Sequence, residues 1–334
     1  MRTYILKRVL LMLPTLLGIS IVTFAIIHLA PGEPPAMRAD VQGSLQQSEI
    51  TSEQIDQWRK LNHLDKPVLV QYWLWVKRLV VLDFGRSFKD QQPVIKTIAK
   101  RLPISMTLMI PAIFLTYLIA IPVGVRSATH QYRFSDRVVT FTLFVLYSLP
   151  SFWVAHMLLT YVCGGEYLDL FPLAGMSSPS SPEMNWLQQF FDRVWHLVLP
   201  ILCYTYASLA ALSRYARAGM LEVLRQDYVR TARAKGLAER VVVMKHAFRN
   251  AVIPIVTIIA GLLPALLGGS VIIEQIFSIP GMGRLGFEAV QGRDFPVIMG
   301  ITTIAATLTL VGILLSDILY SVVDPRISYG SEKS

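Results

Sequence analysis

Six long apolar segments without a single Asp, Glu, Lys or Arg alternate with polar segments along the chain. Each contains 20 to 28 residues, and they cover residues 9–30, 102–125, 138–165, 194–213, 250–273 and 295–316. A helix needs about 20 mostly apolar residues to cross a membrane. The pattern predicts an all-α integral membrane protein with six transmembrane helices. It excludes a soluble enzyme and also a membrane β-barrel, whose strands are about 10 residues long.

The distribution of charge predicts how the chain is oriented. Only 16% of the 334 residues are charged, but 31 basic against 22 acidic residues give a net charge of +9. Lys and Arg accumulate in short loops on the cytoplasmic side of a membrane. The short loops and ends on one side of the six segments hold 17 basic residues, and the short loops on the other side hold 3. We therefore expect both termini in the cytoplasm.

The same pattern divides the chain into three parts. Residues 1–30 form the N-terminus and first transmembrane helix, 31–101 a large extracytoplasmic segment, and 102–334 the core of helices two to six. The segment 31–101 is also rich in Lys and Arg, but the charge rule applies only to loops of up to about 60 residues, and this segment is longer. Helical periodicity at 52–61 and 67–81 predicts two short helices on the outer surface.

Prolines inside the spans predict kinked helices, with Pro111 in the second, Pro150 in the third and Pro200 in the fourth. Kinked helices pack in ordinary bundles and also line gated paths, and the sequence leaves both interpretations open. If there is a path, the candidates for lining it are polar residues of the spans, namely Thr107, Thr116, Ser148, Ser151, Thr257 and Ser270.

Few side chains in the six apolar segments are ionisable. His28, His156 and His196 are the only charged or histidine residues in the six segments, and we interpret them as packed or capping groups. Ion-coupled carriers place acidic or arginine side chains in the bilayer, so a secondary transporter is disfavoured.

We interpret Cys163 and Cys203 as buried residues that form neither a disulfide nor a metal site. The sequence lacks the phosphate-binding Gly-x-x-x-x-Gly-Lys-Ser/Thr loop and common hydrolase motifs, which disfavours a membrane-embedded hydrolase.

The loop at residues 213–249 is the most unusual stretch of the chain. It holds nine basic residues, and apolar positions between Met220 and Lys235 fall near one helical face. Gly236 stands where that helix would end, because glycine adopts a positive φ readily. The residues alone support two interpretations of this loop equally well. It is either an anchor for acidic lipid headgroups or a helix that docks on a cytoplasmic partner. Nucleic-acid binding is disfavoured in a loop held between two membrane spans.

The run 227–237 (DYVRTARAKGL) in this loop, together with segments spread along the chain, resembles permease subunits of ABC importers, closest to the dipeptide, oligopeptide and nickel branch. The loop motif of that family reads Glu-Ala-Ala, three further residues and Gly, and it aligns with Arg230, Thr231, Ala232 and Gly236. The glutamate is absent here, as it is in this branch. The other matching segments are 1–32, 83–87 (DFGRS), 245–254 (KHAFRNAVIP), 280–285 (PGMGRL), 293–298 (RDFPVI) and 324–326 (DPR).

The resemblance implies the type I ABC importer permease fold, with a cytoplasmic coupling helix at about 222–235 that sits in a groove of an ATPase subunit. The coupling residues that it implies are Glu222, Asp227, Tyr228, Arg230, Thr231, Ala232, Arg233, Ala234, Lys235 and Gly236.

The resemblance also implies partners and a location. The partners are a second homologous permease subunit, two cytoplasmic ATPase subunits that hold ATP and Mg, and an extracytoplasmic solute-binding protein. The chain itself would bind no cofactor and hydrolyse nothing. Its place is the bacterial cytoplasmic (inner) membrane, among membrane lipids. Di- and oligopeptides are the substrates that it implies, and nickel or another small solute stays open as an alternative.

Overall fold

The computed structural model describes residues 2–29, 60, 63–164, 167–252, 255, 262, 265 and 268–323. Within these residues the regular elements are helical. The helices are α1 (Arg2–Leu29), α2 (Val68–Val80), α3 (Val94–Thr129), α4 (Phe134–Ser148), α5 (Ser151–Val162), α6 (Trp186–Leu224), α7 (Asp227–Ala234), α8 (Val271–Ile276), α9 (Met282–Gln291) and α10 (Phe295–Val323), with a 3₁₀ turn at Ser181–Glu183. Between α7 and α8, the three consecutive pieces Glu239–Val241, Val242–Ala247 and Phe248–Ala251 form what we call the lever helix.

Four of the described helices are long and apolar enough to cross a membrane, and a bent pair makes a fifth if it counts as one span. They correspond to the predicted first, second, fourth and sixth segments, as Ile5–Leu29, Val94–Thr129, Trp186–Leu224 and Phe295–Ile318. The predicted fifth span, 250–273, lies mostly outside the described residues.

The predicted third span is not one helix. Helices α4 and α5 meet at an angle of 92°, at Leu149 (ψ 122°) and Pro150 (ψ 135°). A proline ring disfavours the helical conformation for the residue before it and removes an amide donor. The chain is therefore extended at both positions, and a new helix begins at Ser151.

The described chain divides into two compact units, and the first contains the described residues within 2–102 and 285–310. Its core holds Phe24, Ile27 and Met299, which are all buried. The hydroxyls of Ser20 and Tyr72 lie 2.8 Å apart and join α1 to α2. Helix α2 confirms the predicted helix at 67–81, whereas the one predicted at 52–61 lies outside the described residues except for residue 60.

A buried carboxylate joins two of the sequence motifs within this unit. Asp294 is 4% exposed, and its oxygens accept hydrogen bonds from the Ser87 hydroxyl (2.5 Å) and the Phe88 amide (3.0 Å). Segments 83–87 and 293–298 therefore meet at one point, although about 200 residues separate them in sequence.

The second unit contains residues 103–284 and 311–323 of the described chain. Cys163 and Cys203 are buried as free thiols in its core, as predicted. The carboxylate of Glu274 is also buried, and it accepts hydrogen bonds from the Ser105 hydroxyl (2.8 Å) and the Arg284 amide (2.8 Å). These bonds, together with one from the Met282 amide to Ser105 (2.7 Å), hold residues 280–284 in place.

Candidate docking site

A short helix separates from α6 in the basic loop. Helix α6 ends at Leu224, Gln226 is extended (ψ 149°), and α7 begins at Asp227. The structure therefore corrects the single helix expected at 222–235, and Glu222 belongs to the last turn of α6. The extended residue interrupts the helical hydrogen bonds and lets α7 leave in a new direction.

Helix α7 ends in a Schellman turn. The amide of Leu237 donates to the Ala232 carbonyl (3.4 Å), and the amide of Gly236 donates to the Arg233 carbonyl (2.9 Å). Gly236 has a φ of +76°, which confirms that the predicted glycine ends the helix by adopting the left-handed conformation. A Cβ atom at Gly236 would meet nothing within 4 Å, so any side chain placed there points away from this chain.

One face of α7 is packed against its own chain. Val229 is fully buried and Ala232 is 5% exposed. They share a hydrophobic cluster with Met220 at the end of α6 and with Val242 and Val243 in the lever helix. Because both neighbours are held by apolar contacts, α7 is fixed in orientation relative to α6 and to the lever helix.

An ion pair closes the turn after α7. The Arg233 guanidinium donates two hydrogen bonds to the Glu239 carboxylate, at 2.7 and 3.1 Å. These bonds hold the pKa of Glu239 below its usual range and raise that of Arg233. The side chains are 41% and 61% exposed, so solvent screens much of the attraction. The pair therefore contributes orientation more than stability.

The lever helix is joined to α7 and α6 by polar and backbone contacts. The Asn250 amide donates to the Tyr228 hydroxyl at 2.7 Å. On α6, a Cβ atom at Gly219 would lie 3.0 Å from the Ala251 carbonyl oxygen, so the glycine permits this close approach. The lever helix also contains a π-helical stretch at Val242–Ala247, a feature that is frequent at functional sites.

The remaining surface of α7 and its turn faces away from the chain. Nine of the ten expected coupling residues are exposed: Glu222, Asp227, Tyr228, Arg230, Thr231, Arg233, Ala234, Lys235 and Gly236. The exception is Ala232, which faces the core. What remains is a compact polar surface on a rigidly held helix, where Arg230 pairs with Asp227 at 3.3 Å. Such a surface is suited to fit into a groove of a partner.

Four of the six polar residues expected along a path, Thr107, Thr116, Ser148 and Ser270, form hydrogen bonds within helices. The hydroxyls of Thr107, Thr116 and Ser148 each donate to a carbonyl one turn earlier, at 2.7 to 2.9 Å. Ser270 accepts from an amide in the first turn of α8 and so caps that helix. Thr257 lies outside the described residues. Thr116 is buried and Ser151, the first residue of α5, is half-buried, so a role in lining a path stays a prediction for these residues.

The histidines serve packing roles where the structure describes their partners. His28 Nε2 lies 3.0 Å from the Gln71 side-chain oxygen, and His196 Nδ1 lies 2.7 Å from the Asp192 carbonyl oxygen. Within the described part of the chain, no group of three or more His, Cys, Asp or Glu residues could hold a metal ion.

Comparison with known proteins gives matches along nearly the whole chain. Residues 1–109 match the N-terminal family described as "Binding-prot-dependent transport system membrane comp, N-term". Residues 120–329 match the family described as "Binding-protein-dependent transport system inner membrane component".

Individual relatives are similar over their full length. The chain is 41% identical over 330 residues to the oligopeptide transport system permease protein AppB of Bacillus subtilis (strain 168), covering 98% of this chain and 100% of that protein. It is 36% identical over 342 residues to the dipeptide transport system permease protein DppB of Alkalihalophilus pseudofirmus, with the same coverage. It is 33% identical to the peptidoglycan transport system permease protein YejB of Agrobacterium fabrum, over 98% of this chain and 99% of that protein. The chain therefore belongs to the family of inner-membrane permease components of binding-protein-dependent ABC transport systems.

Proposed function

We propose that this chain forms half of the translocation path of an ATP-driven peptide importer, and that α7 docks it on a cytoplasmic ATPase subunit. The observation that carries the proposal is the exposed surface of α7. It coincides with the family's loop motif and is fixed on its inner side by Val229 and Ala232. An exposed helix with a rigid base transmits force to its base, which a mobile loop cannot do.

The length of α6 supports a docking surface that stands clear of the membrane. Its 39 residues span about 58 Å at 1.5 Å per residue, whereas the hydrocarbon core is about 30 Å thick. The charge-free part of the helix ends at Ser213, and the following 11 residues to Leu224 extend about 16 Å further. In the proposed topology of six spans and cytoplasmic termini, α7 therefore lies in the cytoplasm.

Alternating access requires an element with two arrangements that ATP and substrate bias differently. Helix α7, the end of α6 and the lever helix move together in this proposal, because apolar contacts and the Tyr228–Asn250 hydrogen bond join them. ATP and Mg belong to the ATPase subunits, and this chain contributes movement without hydrolysis. The second permease subunit supplies the other half of the path, and an extracytoplasmic binding protein delivers the solute.

Peptides are the proposed substrate class because relatives that match over their full length are named oligopeptide and dipeptide transport permeases. The test is purification of the full chain from its native membrane in mild detergent, with identification of its partners by mass spectrometry. We expect a second permease, ATPase subunits and a binding protein. ATP hydrolysis by that complex in lipid vesicles is then measured with the binding protein and either a peptide mixture or nickel. Stimulation by peptides is expected, whereas stimulation by nickel alone would overturn the substrate and recovery of the chain alone would overturn the assembly.

A further inference from the structure

A pocket lies where three helices change from apolar to charged sequence. The charge-free segment of α3 ends at Val125, that of α4 begins at Val138, and that of α6 ends at Ser213. The three helices meet around a cavity of about 300 Å³. Charged side chains begin where the hydrocarbon ends, so this cavity lies at the level of the lipid headgroups.

The pocket continues into an adjoining cavity of about 510 Å³. Thr140, Phe144 and Arg217 line both cavities. Three arginines border the combined space: Arg137 on α4 and Arg214 and Arg217 on α6. The one carboxylate among the lining residues is that of Asp136, so the lining carries an excess of positive charge.

That carboxylate is fully engaged by its neighbours. One oxygen of Asp136 accepts from the hydroxyls of Ser127 and Thr140. The other accepts from the Tyr132 amide and from Arg217 Nη2, both at 3.0 Å. Asp136 therefore neutralises one arginine and has no capacity left for the other donors around the pocket.

Two buried donors at the pocket have no acceptor among the described residues. They are Arg217 Nε and the hydroxyl of Ser213, which is 1% exposed. Burying a donor without an acceptor costs about 1–3 kcal/mol. Arg214 adds an exposed charge beside them, with its guanidinium 5.9 Å from the centre of the Tyr147 ring. The unpaired donors and the excess positive charge fit an anion that has several acceptor oxygens.

Aromatic side chains continue from this basic pocket along the membrane-facing part of α4. Phe141 is 68% exposed and Phe144 64% exposed, and both line the pocket. A phosphate alone or an acidic protein segment would leave these rings uncovered, whereas acyl chains attached to a phosphate would cover them. We propose that the pocket binds the phosphodiester headgroup of an anionic phospholipid, with the acyl chains against Phe141 and Phe144.

The test is native mass spectrometry of the purified full chain, titrated with phosphatidylglycerol, with phosphatidylcholine of the same acyl chains, or with inorganic phosphate. Phosphatidylglycerol should bind more tightly than phosphatidylcholine, and inorganic phosphate should not compete at equal concentration. A basic side chain near the surface contributes about fivefold to the binding of anionic lipid. Arg214→Gln should therefore weaken phosphatidylglycerol binding about fivefold, whereas Arg225→Gln, an exposed arginine beyond the pocket, should not.

Four results would overturn the proposal. The two phospholipids could bind equally, or Arg225→Gln could weaken binding as much as Arg214→Gln. Alternatively, the lipid bound by the isolated chain could be absent from the assembled complex, which would make this face a contact with another subunit. Inorganic phosphate that displaced the lipid completely would assign the pocket to a free anion. Because Arg214 is exposed and outside the Asp136 network, its variant is expected to fold.

Discussion

Gly124 allows α3 to approach α6 closely, and its replacement by alanine tests the packing of the bundle. A Cβ atom there would lie 2.6 Å from the Ala216 Cβ, 2.7 Å from the Ser213 carbonyl oxygen and 3.0 Å from the Arg217 amide nitrogen. Two of these atoms belong to the backbone of α6, so the neighbours cannot yield by a change of rotamer. Gly124→Ala gains up to about 1 kcal/mol of helix propensity but incurs about 1–3 kcal/mol of overpacking. Because the added Cβ would lie only 2.6–2.7 Å from two atoms of α6, the cost falls in the upper part of that range, and we expect a net destabilisation of about 1–2 kcal/mol.

The assay is thermal unfolding of the purified chain in detergent, followed with a thiol-reactive fluorophore. Cys163 and Cys203 are 2% and 1% exposed, so they react only when the chain opens. At about 2–4 °C per kcal/mol, Gly124→Ala should lower the unfolding temperature by several degrees. The matched control is Gly18→Ala on α1, where an added Cβ meets nothing within 4 Å, and its unfolding temperature should stay the same or rise. Equal behaviour of the two variants would refute the close approach of α3 and α6.

Three further predictions concern the docking site. Gly236→Leu should lower uptake because a bulky residue in the left-handed conformation costs about 1–2 kcal/mol. Gly236→Asn, which tolerates that conformation, should keep the native unfolding temperature yet still weaken ATPase binding, because the partner's groove is expected to need a small residue here; ATPase binding by this variant as tight as that of the unchanged chain would contradict this. A double-mutant cycle of Arg233→Ala and Glu239→Ala should give a coupling of about 0.2–1 kcal/mol at pH 7. The pKa of Glu239 is lowered in the folded chain. The coupling energy is therefore fully present above the usual glutamate pKa of about 4.3 and is lost as the pH falls through the lowered pKa. A coupling energy that persisted after Glu239 was protonated would contradict the pairing. Tyr228→Phe should lower uptake but retain ATPase binding, since it removes only the bond to the lever helix, and unchanged uptake would argue against a rigid lever.

The long helices and the end of α7 could be predicted because the determining signals are local. Charge-free stretches marked four membrane-length helices, and Gly236 marked the turn that its positive φ confirms. The bend at Pro150 was visible as a proline, but its 92° angle depends on the packing of α4 and α5 against other helices. Sequence periodicity placed Val229 and Ala232 on one apolar face, and both are buried. It could not show that Val242 and Val243 cover that face, because those residues lie further along the chain.

Long-range polar contacts were beyond the reach of sequence patterns. Asp294 and Glu274 are each buried with partners more than 150 residues away. Nothing in the local sequence distinguishes such a carboxylate from one that faces solvent. The same holds for Asp136, whose bond to Arg217 spans 81 residues and gives the basic pocket its arrangement. For Asp294 the motif at 293–298 was visible in the sequence, but the reason for its carboxylate appeared only with the fold.

The most direct test of the central claim is a cross-link from α7 to the ATPase in native membranes. Arg230→Cys places a thiol on the exposed face of α7, while Arg193→Cys places one on an exposed position of α6. Arg193 and Leu224 lie about 46 Å apart along that helix, which exceeds the hydrocarbon thickness. With a maleimide–benzophenone reagent, the maleimide adds to the introduced thiol and the photoactivated ketone inserts into a C–H bond of whichever protein lies beside it. We predict that Arg230→Cys captures an ATPase subunit and Arg193→Cys does not. Capture from both positions, or from Arg193→Cys alone, would contradict the docking role of α7.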